Sequence, residues 1–271
     1  MGMVSRWYVG RASMNRTVMV HDLDVHFEEY GSENSLTILC IHGYPGRPQD
    51  FRWIIPSLDK YRLIVLAMPG LDITPLPEAE LFSVSSRAEF VIDFMNTIHI
   101  ESCVLLAHSM GGVIGAHIAS HHKERVTQII FISAVGPKPY RAYRRSRPDI
   151  GHLVFSKPPL KYVRKPLVRF LFGVFGFPKG VSTQAMFYVI ACGAKLSFPE
   201  HRQNLSLLKQ PVLSIWCQDD PLMEPESFDS LNKILRQCEN YSFVSGGHSP
   251  QKKHATKVAQ KIVQFIESNS P

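Results

Sequence analysis

The stretch Ala107-His108-Ser109-Met110-Gly111-Gly112 places a serine between two segments of different pattern. Before it, residues 102–106 form a short apolar run that is typical of a buried strand. After it, residues 113–119 are small and apolar, which predicts a packed helix. A serine at a sharp strand-to-helix turn exposes its hydroxyl at the carboxyl edge of a sheet, and small neighbours let the backbone turn there. We therefore predict an α/β fold in which Ser109 is a candidate nucleophile.

The rest of the chain continues this alternation of strands and helices. The first two strand-like runs are predicted to form a hairpin. The six later runs are short and continuously apolar, as expected for strands buried on both faces of a parallel sheet. Amphipathic stripes separate several of them, for example over residues 90–98 and 255–265. The pattern predicts an α/β protein with an eight-stranded, mostly parallel sheet and helices on both faces. The predicted strands are Thr17–Val20, Val25–Tyr30, Leu36–Ile41, Leu63–Met68, Cys103–Ala107, Gln128–Ser133, Val212–Trp216 and Tyr241–Val244.

One segment interrupts this rhythm and carries most of the positive charge. Residues 136–210 show no strand signal and contain fourteen Lys and Arg residues but two acidic ones, a net charge of +12, whereas the whole chain has +7. We expect this segment to be a basic, helical cap inserted into an α/β core formed by residues 17–135 and 211–271. Residues 1–16 are expected to be an N-terminal tail.

Composition places the chain among globular proteins. Hydrophobic residues make up 45% of its 271 residues and charged residues 20%, and no apolar run approaches the roughly 20 residues that span a bilayer. Its five cysteines are odd in number and widely spaced, which favours reduced thiols over a disulfide framework or a metal site. A cytoplasmic location is predicted. A mitochondrial location is one alternative, because Arg6, Arg11 and Arg16 occur in a first segment without acidic residues. A membrane-peripheral location is the other, because the cap is basic.

A serine hydroxyl becomes a useful nucleophile only beside a base, and His248 is the best candidate among twelve histidines. It lies in the loop Ser245-Gly246-Gly247-His248-Ser249-Pro250, after the last predicted strand, and so at the same sheet edge as Ser109. Three other histidines lie on or at the ends of predicted helices and are expected to be exposed at the surface: His121, His122 and His254. His108 is expected to pack under the serine turn.

The base needs a carboxylate that fixes its tautomer and stabilises its cation. Asp219 and Asp220 both follow the predicted strand Val212–Trp216, so chain order alone leaves both open. We favour Asp220, which directly precedes Pro221. The alternative is that one of the two aspartates only caps the next helix.

The third requirement is a pair of amides that stabilise an oxyanion. Ile41-His42-Gly43-Tyr44-Pro45-Gly46 follows an apolar strand and would bring the Tyr44 N–H beside the nucleophile, where the Met110 N–H supplies a second donor. Taken alone, such a turn could equally be structural. Its combination with Ser109 and His248 at matching strand ends favours an active site.

With these motifs, residues 16 to 266 resemble the α/β-hydrolase superfamily, in its serine-nucleophile, esterase- or lipase-like branch. The resemblance implies a triad of Ser109, Asp220 and His248, oxyanion donors at Tyr44 and Met110, and neither a metal nor an organic cofactor. Two positions depart from the usual pattern: Ala107 replaces the first glycine of Gly-x-Ser-x-Gly, and the turn at residues 67–70 lacks the usual aspartate. The motifs that carry the resemblance are IHGYPG, VLLAHSMGG, MPG, WCQDDPL and SGGHSPQ.

The nucleophile narrows the expected reaction. Epoxide hydrolases and haloalkane dehalogenases of this superfamily use an aspartate, so Ser109 favours acyl transfer to water instead. The predicted function is hydrolysis of a carboxylic ester or thioester with a hydrophobic acyl group. The alternatives are a ligand-binding receptor with little turnover and a peripheral membrane protein that binds through its basic cap.

Residues 166–177 of the cap are apolar and aromatic, with cations on both sides. They are expected to pack the cap onto the core. The alternatives are that they line an acyl-chain channel or contact an anionic membrane surface, or that the cations meet a phosphate-bearing substrate. The cap lacks a recognised nucleic-acid-binding motif, so no nucleic-acid partner is expected.

Overall fold

A computed structural model describes residues 14–71, 73–76, 82–155, 164–174 and 181–270 of the chain. These residues form a single sheet of eight strands, as the sequence predicts. The expected tail lies outside the described residues up to position 13, and from Met14 the chain already pairs with β2. The strands are β1 Met14–Val20, β2 Leu23–Tyr30, β3 Thr37–Ile41, β4 Arg62–Leu66, β5 Cys103–His108, β6 Val126–Ile132, β7 Val212–Cys217 and β8 Cys238–Phe243.

The strand order is β1-β2-β4-β3-β5-β6-β7-β8. β1 and β2 form an antiparallel hairpin, β2 runs antiparallel to β4, and all later neighbours are parallel. The chain steps from β3 to one side of the sheet, into β4, and later returns to the other side, into β5. Ligand sites of open α/β sheets form at such a reversal, outside the carboxyl ends of the strands. The segments that follow β3 and β5 are those that contain Tyr44 and Ser109.

The described part of the chain has ten helices, and some of them pack on each face of this sheet. One buried apolar layer lies under α1, α2, α7 and α8, and the other lies under α10. β3 shows how the sheet divides them, because Ile38 and Cys40 enter one layer while Leu39 and Ile41 enter the other. The helices are α1 Val84–Thr97, α2 Gly111–His121, α3 Arg141–Ser146, α4 Pro148–Phe155, α5 Arg164–Val174, α6 Thr183–Ala194, α7 Phe198–Leu207, α8 Pro225–Ile234, α9 Pro250–Lys253 and α10 Ala255–Ser268.

The last strand differs from its prediction. A run buried on both faces was expected at Tyr241–Val244, but β8 begins at Cys238 and alternates between exposed and half-buried residues. The reason is its place at the edge of the sheet, where β7 is its one strand partner among the described residues. The polar start Cys238-Glu239-Asn240 carries no apolar signal, which is why its first half is invisible in the sequence.

The described residues between β6 and β7 include five helices, α3 to α7, and no strand. This is the segment expected to form the cap, and parts of it, residues 156–163 and 175–180, lie outside the described residues. In the part of the chain that the structure covers, none of the helices has the length and hydropathy of a membrane span. All five cysteines are free thiols.

Three buried histidines make the fold sensitive to acid. Burial lowers the pKa of His108, His117 and His201 to about 4 in each case. An unfolded chain takes up these protons near pH 6.5, so it binds more protons than the folded protein does between pH 6.5 and 4. We expect the free energy of unfolding to fall across this window, by on the order of 1 to 2 kcal/mol per histidine at pH 5.

Urea unfolding at pH 7.5, 6 and 5 measures this effect. His201→Leu is the matched variant, because it removes one of the three protonation sites, and it should lessen the pH dependence. A free energy of unfolding that is equal at pH 7.5 and pH 5 would contradict the prediction.

Candidate active site

Ser109 lies in a strained turn between β5 and α2. Its φ of 54° is in the left-handed region, which residues other than glycine seldom occupy. The turn brings backbones together: a side chain at Gly111 would collide with the carbonyl oxygen of Ile41, and one at Gly112 would come 2.6 Å from the Cβ of Ala134. The conformation is that of a nucleophile elbow, and it accounts for the two glycines that follow the serine.

His248 joins Ser109 and Asp220 in one hydrogen-bonded chain. Its Nε2 lies 2.9 Å from the Ser109 Oγ, and its Nδ1 lies 2.7 Å from the Asp220 Oδ2. The structure therefore brings together the three residues that sequence analysis proposed, although they come from three separate loops. With Asp220 ionised, the Nδ1 donates to the carboxylate, and the Nε2 is left free to accept the serine proton.

Asp220 is held rigidly for this contact. It is 2% exposed. Its Oδ1 accepts hydrogen bonds from the backbone N–H groups of Leu222 and Met223, at 2.8 and 3.1 Å, which leaves Oδ2 for His248. Two amide donors compensate the burial of the carboxylate.

Asp219 has a different place, which no pattern in the sequence indicates. Its carboxylate accepts the backbone N–H groups of Gly247, at 2.8 Å, and Gly246, at 3.1 Å, and these bonds lower the pKa of Asp219. Both glycines have positive φ, 145° at Gly246 and 67° at Gly247, so the loop before His248 adopts a conformation that larger residues rarely take. Asp219 thus fastens the loop that carries the histidine.

His108 ties the same loop from the other side. It is buried under the serine turn, as expected, and its Nε2 donates to the backbone carbonyl of His248 at 2.9 Å. Because burial lowers its pKa to about 4, the ring is neutral at physiological pH and keeps its one proton for this bond. The loop of His248 is therefore anchored to the residue that precedes the nucleophile.

We expect Asp219→Ala to lower kcat/KM for hydrolysis of a p-nitrophenyl ester roughly tenfold or more, because a loop that no longer fixes His248 misplaces the base. Steady-state kinetics measure the loss. Asp219→Asn is the matched variant: it keeps one acceptor oxygen and should lose less. Equal activity of Asp219→Ala and the unchanged chain would show that the glycine conformations alone hold the loop.

The turn after β3 lies against the nucleophile. Ile41 is in register with Ala107, and a side chain on Gly43 would come 2.9 Å from the Ser109 Cβ and 3.4 Å from its Oγ. His42 shapes this turn, since its Nδ1 donates to the Gly43 carbonyl and its Nε2 accepts the Met68 N–H. Tyr44 and Met110, the predicted oxyanion donors, therefore follow segments that meet at Ser109.

Behind Tyr44 lies Arg87, a fully buried arginine on α1. Its guanidinium carbon is 4.9 Å from the centroid of the Tyr44 ring, and its Nε donates to the Ser83 carbonyl. The two terminal nitrogens have no hydrogen-bond partner among the described residues. The cation stacks on the aromatic ring and so supports the residue that precedes the turn proline.

A cavity of about 430 Å³ opens near Tyr44. Phe82, Phe187 and Tyr188 form much of its apolar wall, and His152 and Lys165 add polar groups. Tyr188 is shared with the site, because its ring centroid is 6.4 Å from that of Tyr44. The cavity thus lies one aromatic ring away from a predicted oxyanion donor. In the described ranges, His, Cys, Asp and Glu side chains form no group of three or more suited to a metal ion.

Comparison with known proteins assigns the chain to a family. The profile of the family described as alpha/beta hydrolase fold matches residues 37–186, more than half of the chain. The chain belongs to the α/β hydrolase fold family. The match includes Ser109 and Tyr44, and Asp220 and His248 follow in the order usual for this fold.

Relatives of the α/β hydrolase fold family span most of the chain. An uncharacterized hydrolase of Bacillus subtilis, YugF, is 24% identical and covers 93% of this chain and 97% of its own length. Epoxide hydrolase 3 of Xenopus tropicalis is 20% identical, and the match covers 90% of this chain and 75% of that protein. A crystal structure of a putative lipase from Acinetobacter baumannii superimposes with a TM-score of 0.75 at 18% identity over 96% and 92% of the two chains. The chain is accordingly a hydrolase of this fold.

Proposed function

We propose that the protein is a serine hydrolase that cleaves a carboxylic ester or thioester of a hydrophobic acyl group through an acyl-enzyme. The observation that carries the proposal is the unbroken hydrogen-bonded chain from Asp220 through His248 to Ser109. A serine alone is a weak nucleophile, and a base within hydrogen-bond reach, itself oriented by a carboxylate, is the arrangement that activates it.

The geometry supports a two-step reaction. The Ser109 Oγ attacks the carbonyl carbon while the His248 Nε2 takes the hydroxyl proton, and Asp220 stabilises the resulting imidazolium. The N–H groups of Tyr44 and Met110 bind the oxyanion. When the intermediate collapses, His248 returns the proton to the departing alkoxide or thiolate. Water then attacks the acyl-enzyme by the same route and restores the serine.

The serine also argues against ring opening of an epoxide, the activity in the name of the Xenopus relative. Attack of a serine oxygen on an epoxide carbon would leave an alkyl ether on the enzyme. An ether has no carbonyl carbon for water to attack, so the enzyme would not be regenerated. An acyl ester on Ser109, by contrast, keeps a carbonyl carbon, and water that gives its proton to His248 can attack this carbon and release the serine.

The cavity supports the apolar nature of the acyl group. Its wall is largely aromatic and aliphatic, and its volume of about 430 Å³ falls within the usual range of small-molecule sites. Its lining residues come from α4, α5 and α6 of the segment 136–210 and from the segment before α1. We propose that this segment is a cap that covers the substrate.

Hydrolysis of p-nitrophenyl esters of increasing acyl length tests the proposal, together with labelling by a fluorophosphonate probe and peptide mapping of the labelled residue. We expect turnover, with an optimum that reports the length of the cavity, and labelling confined to Ser109. Labelling of Ser109 without turnover of any ester or thioester would favour a ligand-binding receptor. Turnover without labelling of Ser109 would overturn the assignment.

A further inference from the structure

The cavity of about 430 Å³ near Tyr44 has polar side chains in addition to its aromatic wall. Among the described residues that line it, none is acidic. Each of the polar ones can donate a hydrogen bond, and Lys165 carries a full positive charge. The wall therefore favours a ligand that brings an acceptor or a negative charge. The polar lining residues are His152, Lys165, Thr183 and Gln184.

Two of these side chains have capacity left for a ligand. Lys165 is exposed and forms no ion pair with any other described residue. The Oγ1 of Thr183 accepts a hydrogen bond from the Nε of Arg169, at 3.0 Å, so the hydroxyl hydrogen of Thr183 can be donated to a bound group. Arg169 adds a second cation beside that hydroxyl. An anion in the cavity would find both a counter-charge and a donor.

Lys165 reaches the cavity from the side remote from Tyr44. Helix α6 contributes Tyr188, whose ring centroid is 6.4 Å from that of Tyr44. Helix α5, which contributes Lys165, packs on α6 through Val168 and Met186. Lys165 is thus one helix further from the predicted oxyanion donor than Tyr188 is. An acyl chain whose carbonyl lies at Tyr44 would approach Lys165 with its far end.

The charge of the surrounding segment acts in the same direction. Residues 136–210 have a net charge of +12, whereas the rest of the chain sums to −5. Helices α4, α5 and α6 of this segment supply all four polar lining residues. A positive field around a site raises the local concentration of anionic substrates and their rate of association.

We propose that the cavity takes an acyl group whose far end is anionic, and that Lys165 binds this end. The inference rests on the proposed ester or thioester hydrolysis, which places the carbonyl carbon at Ser109. The aromatic wall would contact the methylene chain, and Thr183 would donate to the anion. The substrate class is then a half-ester or half-thioester of a dicarboxylic acid, or an acyl chain that ends in another anionic group.

Three p-nitrophenyl esters with the same six-carbon acyl chain test the proposal. Hexanoate ends in a methyl group, the adipate half-ester ends in a carboxylate, and 6-(trimethylammonio)hexanoate ends in a cation. We expect kcat/KM to be highest for the adipate half-ester, and to exceed that for the cationic ester about tenfold or more at low salt. High salt should reduce this preference, because Lys165 is exposed and its charge is screened.

Lys165→Gln should lower kcat/KM for the adipate half-ester about fivefold and leave that for hexanoate unchanged. The loss should appear mainly in KM, since a contact remote from the reacting carbon is equally strong in the ground and transition states. Lys165→Arg keeps the charge and should keep the preference. Lys195→Gln is the matched control, because Lys195 is an exposed cation of the same segment at the other end of α6 from Thr183. Thermal unfolding checks that each variant folds.

Binding without hydrolysis separates this inference from the proposed function. Ser109→Ala lacks the nucleophile, and titration calorimetry compares its affinity for the p-nitrophenyl adipate half-ester and for p-nitrophenyl hexanoate. Tighter binding of the half-ester, lost on adding Lys165→Gln, would support the inference even if no ester is turned over.

Equal affinities in this titration would overturn the inference. Hydrolysis of the three esters with equal kcat/KM would also overturn it, and would leave the proposed ester hydrolysis in place. Equal losses in Lys165→Gln and Lys195→Gln would show that the field of the segment, and not a contact with Lys165, selects the anion, which would overturn it as well.

Discussion

Replacing Ser109 with alanine is expected to lower kcat/KM for a p-nitrophenyl ester by on the order of 10⁴-fold or more. The variant removes the one oxygen that His248 can activate, so no acyl-enzyme can form. The amides of Tyr44 and Met110 would remain, and their residual effect on direct attack by water would be small beside the loss. Steady-state kinetics and the rate of fluorophosphonate labelling measure the two consequences.

The Ser109→Ala protein should stay folded, which separates a chemical loss from a structural one. Alanine removes a single oxygen, and φ at position 109 is strained whichever of the two residues is present. Ser120→Ala, on the helix α2 that follows the serine turn, is the matched control, because the Ser120 Oγ donates to the His117 carbonyl and takes no part in the site. Full activity of Ser109→Ala would remove Ser109 from the mechanism.

Local sequence patterns were sufficient to find the strands. β3 to β7 are short apolar runs bounded by polar residues, and because each is buried on both faces the run and the strand nearly coincide. β8 is the exception. As an edge strand it has alternating exposure, and a pattern search tuned to fully buried strands finds only its second half.

The candidate site was predictable to the level of which loops meet. Ser109, Asp220 and His248 each follow a strand, and the carboxyl ends of parallel strands share one edge of the sheet. Choosing Asp220 over Asp219 needed more than chain order, because both follow β7. The structure shows why the two differ: Asp220 is buried at the His248 ring, while Asp219 is exposed and binds the Gly246 and Gly247 amides.

The supporting contacts could not be predicted, because they depend on backbone conformations of residues far apart in sequence. The bond from His108 to the His248 carbonyl joins positions 140 residues apart. Arg87 is different, since a signal for it exists. It stands three residues before Phe90, on the same helix face as the apolar stripe of α1, and a cation at a core position calls for an explanation. Its stacking on Tyr44 supplies one.

Asp220→Asn is expected to lower kcat by on the order of 10⁴-fold with little change in the fold. The reason lies in the backbone donors around the carboxylate. Oδ1 accepts the N–H groups of Leu222 and Met223, so an asparagine must place its carbonyl oxygen there. Its NH₂ group then points at His248, which can accept that bond only with a deprotonated Nδ1.

The ring of His248 would consequently carry its proton on Nε2, toward Ser109, and a protonated Nε2 cannot take the serine proton. Kinetics of Asp220→Asn and Asp219→Asn, measured side by side, separate the two aspartates. Asp219→Asn keeps an acceptor for one glycine amide, so its loss should stay within about tenfold. If the losses were reversed, the acid that orients His248 would be Asp219, and the loop conformation in solution would differ from the one described. A large loss confined to Asp220→Asn would instead tie the activity to the His248 tautomer, because the exchange changes one atom and leaves both backbone bonds in place.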